Sequence, residues 1–142
     1  MPTVHVDLAE RSYEVIVDAG GLGKVAERVA AAGLAGRRAA VISDETVAAL
    51  HSGKLIESLE STGFRPTLHT VPAGEASKSM THFESVCREM IRGGHDRKSF
   101  VIALGGGVVG DLAGFVAAIF YRGLPFVQIP TTIVSQVDSS VG

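Results

Sequence analysis

The sequence predicts an α/β fold, a parallel sheet with a mixed edge and helices on both faces, and three observations carry that expectation. Short β-rich runs alternate with stretches of helical period along all 142 residues. From Ala39 onward the strand candidates are apolar on both faces, as strands are when helices cover both sides of a sheet. No repeat, low-complexity tract or linker interrupts the alternation, so one domain is expected over 1–142.

The elements follow in order. Residues 4–8 and 13–17 alternate apolar and polar side chains and read as two strands, the first as an edge hairpin partner. A Gly-Gly turn then opens a helix over 22–32. Strand 39–43 leads to a helix over about 45–59, strand 67–71 to one over about 78–92 capped by Ser77, and strand 100–104 to one over about 108–121; strand 126–129 follows.

Composition excludes several classes. No apolar run approaches the ~18 residues that span a bilayer, and MPTVHVDLAER carries charge where a signal peptide is apolar, so a cytoplasmic location and no membrane partner are expected. A net charge of -2 leaves no basic footprint, and HDRKS at 95–99 reads as a solvated turn, so no nucleic acid is expected. Cys87, the single cysteine, shares an apolar stripe with Met80, Phe83 and Met90 and reads as a buried, inert thiol. His5, His51, His69, His82 and His95 lack ligand spacing and read as structural or surface residues, with no metal site.

Ligands of parallel sheets bind outside the carboxyl ends of the strands. After Leu104 comes GGGVVGDLAGF, five glycines in eleven residues. Gly105, Gly107 and Gly110 satisfy G-x-G-x-x-G between a strand and a helix, where backbone N–H groups can hold a pyrophosphate; a tight packing turn uses the same letters. The motif follows a late strand and lacks a carboxylate some twenty residues on, unlike the ordinary dinucleotide fingerprint. Asp111 either caps the helix or accepts from ribose hydroxyls or a carboxamide. Asp44 after AAVIS is a helix cap or a ribose acceptor. Gly74, Glu75 and Lys78 in AGEASK offer a close approach, an acceptor and a cation, or a solvated loop. Thr131 and Thr132 in PTT offer two hydroxyls, or strand filler. The fold brings all four strand ends to one edge of the sheet.

The runs GGGVVGDLAGFVAA, YRG and PTTIVSQVDSSVG, with GE-x-x-K at 74–78, resemble the signature of the 3-dehydroquinate synthase family of sugar phosphate cyclases. The resemblance implies a Rossmann-like domain binding NAD, with cofactor contacts at Asp44, Gly74, Glu75, Lys78, Gly105, Gly106, Gly107, Val108, Val109, Gly110, Asp111, Thr131 and Thr132. It places Gly107 and Gly110 beneath the pyrophosphate and Asp111 toward the nicotinamide ribose. It implies substrate contacts at Arg122 and Asp138, the arginine reaching a neighbouring subunit's sugar phosphate from the opposite sheet edge, and hence a homodimer.

Chemically the resemblance implies conversion of 3-deoxy-D-arabino-heptulosonate 7-phosphate to 3-dehydroquinate with phosphate release, by a carbon–oxygen lyase of the shikimate pathway that leads to aromatic amino acids. NAD is reduced and regenerated in the cycle, and a divalent metal, zinc or cobalt, acts as Lewis acid. The metal ligands and the catalytic residues belong to a C-terminal helical domain that the resemblance places beyond Gly142, so none is assigned here and 1–142 alone is expected to be inactive. Other sugar phosphate cyclases and iron-type alcohol or glycerol dehydrogenases share this nucleotide architecture.

Overall fold

The structure, a computed structural model, describes residues 2–141, so Gly142 at the end of the family-like run lies outside the described residues. β1 (Thr3–Val6) and β2 (Tyr13–Ile16) pair antiparallel, with Thr3 opposite Ile16 and Val6 opposite Tyr13. They form a two-stranded sheet of their own. The expected mixed edge is therefore absent from the main sheet, which is parallel throughout: β3 (Arg38–Asp44), β4 (Arg65–Val71), β5 (Phe100–Gly105) and β6 (Phe126–Pro130) lie in the order β4-β3-β5-β6. The hairpin sets Val4 opposite Val15 and Val6 opposite Tyr13 on one apolar face, but it pairs with no strand of the main sheet.

The helices are α1 (Val25–Val29), α2 (Glu45–Val47), α3 (Gly53–Ser61), α4 (Met80–Arg92) and α5 (Gly107–Ile119). Successive side chains of a strand point to opposite faces, and the central strands show it. Ala39 and Val41 of β3 and Phe100, Ile102 and Leu104 of β5 pack with Ala26, Val29, Leu55 and Leu59 of α1 and α3. Ala40, Ile42, Val101 and Ala103 pack on the other face with Val86, Met90, Val109, Leu112 and Val116 of α4 and α5. Burial of both faces drives the assembly, at about 25 cal/mol per Å² of apolar surface removed from water.

Three local expectations change. A wider helical turn, Ala48–Ser52, joins α2 to α3, and the Ser52 hydroxyl donates to the Ala48 carbonyl at 2.7 Å. The cap of α4 is Ser79, whose Oγ accepts from the His82 N–H at 3.2 Å; Ser77 is buried in the preceding turn, its hydroxyl donating to the Pro72 carbonyl. Met80, as the first residue of α4, is exposed rather than part of the apolar stripe, whereas Cys87 and Phe83 do pack against the core and burial pushes the Cys87 thiol up.

His69 and His95, both buried, lie at the amino side of this layer with ring centroids 5.9 Å apart. Thr67 Oγ1 bridges their Nε2 atoms at 2.7 and 2.6 Å, His69 Nδ1 meets Glu89 Oε2 at 3.0 Å, and His95 Nδ1 meets Ser99 Oγ at 3.1 Å. A carboxylate only accepts, so His69 donates from Nδ1. The chain then runs in one direction: Ser99 donates to His95, His95 to Thr67 and Thr67 to His69. Each polar atom in this buried network has a partner.

Candidate functional site at the strand-order reversal

The chain leaves β3 toward β4 on one side and leaves β5 toward β6 on the other, so the strand order reverses between β3 and β5. Open α/β sheets hold ligands in the crevice outside the carboxyl ends at such a point. Here the two strand ends are tied together by the buried Ser43 hydroxyl, which donates to the Leu104 carbonyl at 2.6 Å. No motif in the sequence marks Ser43 for that task.

The glycine run turns sharply from β5 into α5, and protein atoms fill the space its side chains would need. A Cβ on Gly105 would lie 2.7 Å from the Val109 Cβ, on Gly106 3.1 Å from Thr132 Cγ2, and on Gly107 3.3 Å from Ser139 Oγ. Gly105 is thus a packing glycine. A Cβ on Gly110 would make an ordinary contact, 3.5 Å from Gln128 Oε1. Gly74 is required for a different reason: its φ of +111° is open to glycine and strained for other residues.

The loop leaves α5 with a bare N-terminus. Gly106 stands at the N-cap position, makes no side-chain cap hydrogen bond, and no acidic residue occupies the first turn. The backbone ladder begins with the Gly110 N–H, which donates to the Gly106 carbonyl at 3.0 Å. The N–H groups of Gly107, Val108 and Val109 therefore point out of the positive end of the helix dipole.

Asp111 is the fifth residue of α5, too far inside to cap it, which removes one of its two expected roles. Its Oδ2 instead accepts from Lys78 Nζ at 2.8 Å, and Lys78 also reaches Glu75 Oε1 at 3.2 Å. Those hydrogen bonds, Asp111 first, hold the Lys78 ammonium above its ordinary pKa, so it remains charged at neutral pH. The loop after β4 is thereby tied to α5. The sequence placed all three side chains at this edge without pairing them.

Asp44 does cap α2, its Oδ1 accepting from the Val47 N–H at 2.8 Å. After β6, the Thr131 N–H donates to the Gly105 carbonyl at 3.0 Å. Thr131 Oγ1 is buried and has no hydrogen-bond partner among the described residues. Thr132 and Ser135 exchange hydrogen bonds, each hydroxyl accepting from the other's N–H at 3.2 Å, where the helical turn Ser135–Ser139 begins. Exposed Asp138 rides on that turn, which Gln128 Nε2 anchors to the sheet by donating to the Ser140 carbonyl at 3.2 Å.

Asp44, Gly74 to Lys78, Gly105 to Asp111, Thr131, Thr132 and Asp138 thus share the carboxyl edge. Arg122 does not. It follows α5 at the opposite edge, where Tyr121 and Arg122 have φ of 47° and 66° and line a depression of about 290 Å³ with Arg97. The carboxyl edge fits a dinucleotide: bare helix donors for a pyrophosphate, a carboxylate on one flank and an orphaned hydroxyl on the other. It does not fit a metal, because no three His, Cys, Asp or Glu side chains converge among the described residues.

This fold and crevice define the class: an α/β domain with a parallel sheet and a ligand cleft at the strand-order reversal. The chain belongs to the 3-dehydroquinate synthase family, whose N-terminal model, "3-dehydroquinate synthase N-terminal", matches residues 68–142. It is 52% identical over 141 residues to a 3-dehydroquinate synthase of Paracoccus denitrificans, covering 99% of this chain and 38% of that protein. The chain therefore spans under two fifths of that curated relative's length. Among solved structures it superposes on 2-deoxy-scyllo-inosose synthase, complexed with carbaglucose-6-phosphate, NAD+ and Co2+, with TM-score 0.86 at 22% identity over 97% of this chain and 37% of that one. It superposes on ValA, a 2-epi-5-epi-valiolone synthase from Streptomyces hygroscopicus subsp. jinggangensis with NAD+ and Zn2+ bound, with TM-score 0.77 at 31% identity over 96% and 37%.

Proposed function

We propose that this chain is the NAD-binding half of a cytoplasmic, homodimeric 3-dehydroquinate synthase, which converts 3-deoxy-D-arabino-heptulosonate 7-phosphate to 3-dehydroquinate and phosphate. The observation that carries the reading is the bare N-terminus of α5 at the strand-order reversal, with Asp44 and the orphaned Thr131 hydroxyl on its flanks. The names of its relatives support this choice over an alcohol or glycerol dehydrogenase, and the NAD+ in ValA supports the cofactor.

When bound, NAD supplies a reversible hydride acceptor. This chain's own residues bind and orient. The N–H groups of Gly107, Val108 and Val109 donate to the pyrophosphate in the positive field of α5. Asp44 accepts from ribose hydroxyls with the oxygen that does not cap α2. Asp111 and Glu75 hold Lys78 in place, so that its ammonium faces the same anion from the β4 side. Thr131 offers the hydroxyl donor that lacks a partner. Asp138 orients the substrate from the same edge, and Arg122 serves the substrate of the neighbouring copy. The metal and the acid–base groups come from outside 1–142, so this chain saturated with NAD alone does not turn over.

Asp44→Asn tests the assignment, because asparagine caps a helix as well as aspartate but is a weaker acceptor for a diol. The Kd for NAD by calorimetry rises about tenfold, the loss of one charge-assisted hydrogen bond, while the Tm stays within a degree or two. An unchanged Kd would remove Asp44 from the site.

A further inference from the structure

The amino edge of the sheet carries charge that the cofactor site does not explain. Arg37, Arg38, Arg65, Arg97, Lys98 and Arg122 lie in or just before the first residues of the four parallel strands, in a chain whose net charge is -2. Two of them are committed: Arg37 donates to the Lys98 carbonyl at 3.5 Å and Arg38 to the Gly93 carbonyl at 3.4 Å. Arg97 and Arg122 differ. Both line the 290 Å³ depression with Tyr121, and neither guanidinium has an ion-pair or hydrogen-bond partner among the described residues.

The backbone on either side of the depression is constrained at both arginines. Arg97 sits in a tight turn in which the Ser99 N–H donates to the Asp96 carbonyl at 3.1 Å, the Lys98 N–H to Asp96 Oδ1 at 2.9 Å and the Asp96 N–H to the buried Ser99 Oγ at 3.0 Å. Arg122 stands in the left-handed region beside a second such residue, Tyr121. Backbone in that region is costly for residues other than glycine and gathers at functional sites. Two exposed, unpartnered guanidinium groups lining one depression suit a tetrahedral dianion, each planar fork able to bind two oxygens.

We propose that Arg97 is a second phosphate-binding residue, completing with Arg122 and Tyr121 a pocket for the phosphate dianion of the neighbouring copy's substrate. The proposal rests on the reading of Arg122 given above and adds Arg97 to it. The same chemistry binds free inorganic phosphate, the product of the reaction.

The test is steady-state kinetics of the complete enzyme containing this domain, with Arg97→Ala, Arg97→Lys, Arg122→Ala and the Arg97→Ala/Arg122→Ala pair. Arg97→Ala raises the substrate KM at least tenfold and leaves kcat and the NAD Kd within twofold, which also shows that the fold is intact. Arg97→Lys recovers part of that loss, and the double variant loses less than the product of the single losses because the two forks share one ligand. Inhibition by inorganic phosphate distinguishes the two sources: a parallel rise in its Ki shows that the pocket also takes the free product, and an unchanged Ki with a raised KM shows that it takes only the ester; both support the pocket. If Arg97→Ala leaves KM within twofold while Arg122→Ala raises it, Arg97 is not part of the site and the reading of Arg122 stands. If neither moves KM, both are wrong.

Discussion

His95 is 4% exposed and both of its ring nitrogens are committed, to Thr67 and to Ser99. Burial, helped by the neighbouring His69 and Arg38 and opposed by Asp96, lowers its pKa from 6.5 to about 4. Glu89 faces the other end of the network through His69. Because the folded value lies below the ordinary one, the unfolded chain binds more protons between them and stability rises with pH across that window. A contribution of about 3 kcal/mol is complete above about 6.5 and is lost as pH falls through that window to about 4. Urea unfolding at a series of pH values, for wild type and His95→Gln, measures it. The wild-type profile should fall away from the variant's between pH 6.5 and 4; parallel profiles would mean that His95 titrates normally. The sequence marked this residue as structural from its lack of ligand spacing, but the Thr67 bridge, which joins residues distant in the chain, has no local signature.

At the scale of elements, the turn from β5 into α5 separates two reasons for glycine that one motif conceals. Gly105→Ala puts a methyl 2.7 Å from Val109, which must overpack the seam between strand and helix and should cost about 1–3 kcal/mol. Gly110→Ala adds a methyl at ordinary contact distance within a helix and should be neutral or stabilising by up to about 1 kcal/mol. Denaturant midpoints read both, and equal midpoints would refute the distinction. The central strands were legible because the apolar runs AAVI of β3 and FVIAL of β5 are unbroken and lead to Asp44 and Gly105. The cap of α4 was not: Ser77 and Ser79 are equivalent letters, and only the burial of Ser77 against Pro72 assigns the cap to Ser79. The wide turn at Ala48–Ser52 likewise leaves no trace in the helical period.

For the whole molecule, parallel topology does most of the functional work by sending every strand end to one edge. That made the shared edge readable from single weak signals, since Asp44, Gly74 to Lys78, the glycine run and the threonines each follow a strand. What could not be read was which of these groups touch, as Lys78 touches Asp111. Such a pair arises from packing between elements that the chain visits at different times. Arg122 was placed at the opposite edge by topology alone, and its pairing with Arg97 in one depression emerges only when the turn before β5 lies beside the turn before β6.

In the proposed function the bare N-terminus of α5 grips the cofactor's pyrophosphate. Amide NMR of the 15N-labelled 142-residue chain, titrated with NAD and separately with nicotinamide mononucleotide, tests it most directly. Adding NAD should shift the Gly107, Val108 and Val109 amides far downfield, as hydrogen bonds to an anion do, with smaller shifts at Asp44 and Thr131 and much weaker saturation by the mononucleotide. Saturable NAD binding that leaves those three amides unmoved while others shift would contradict it.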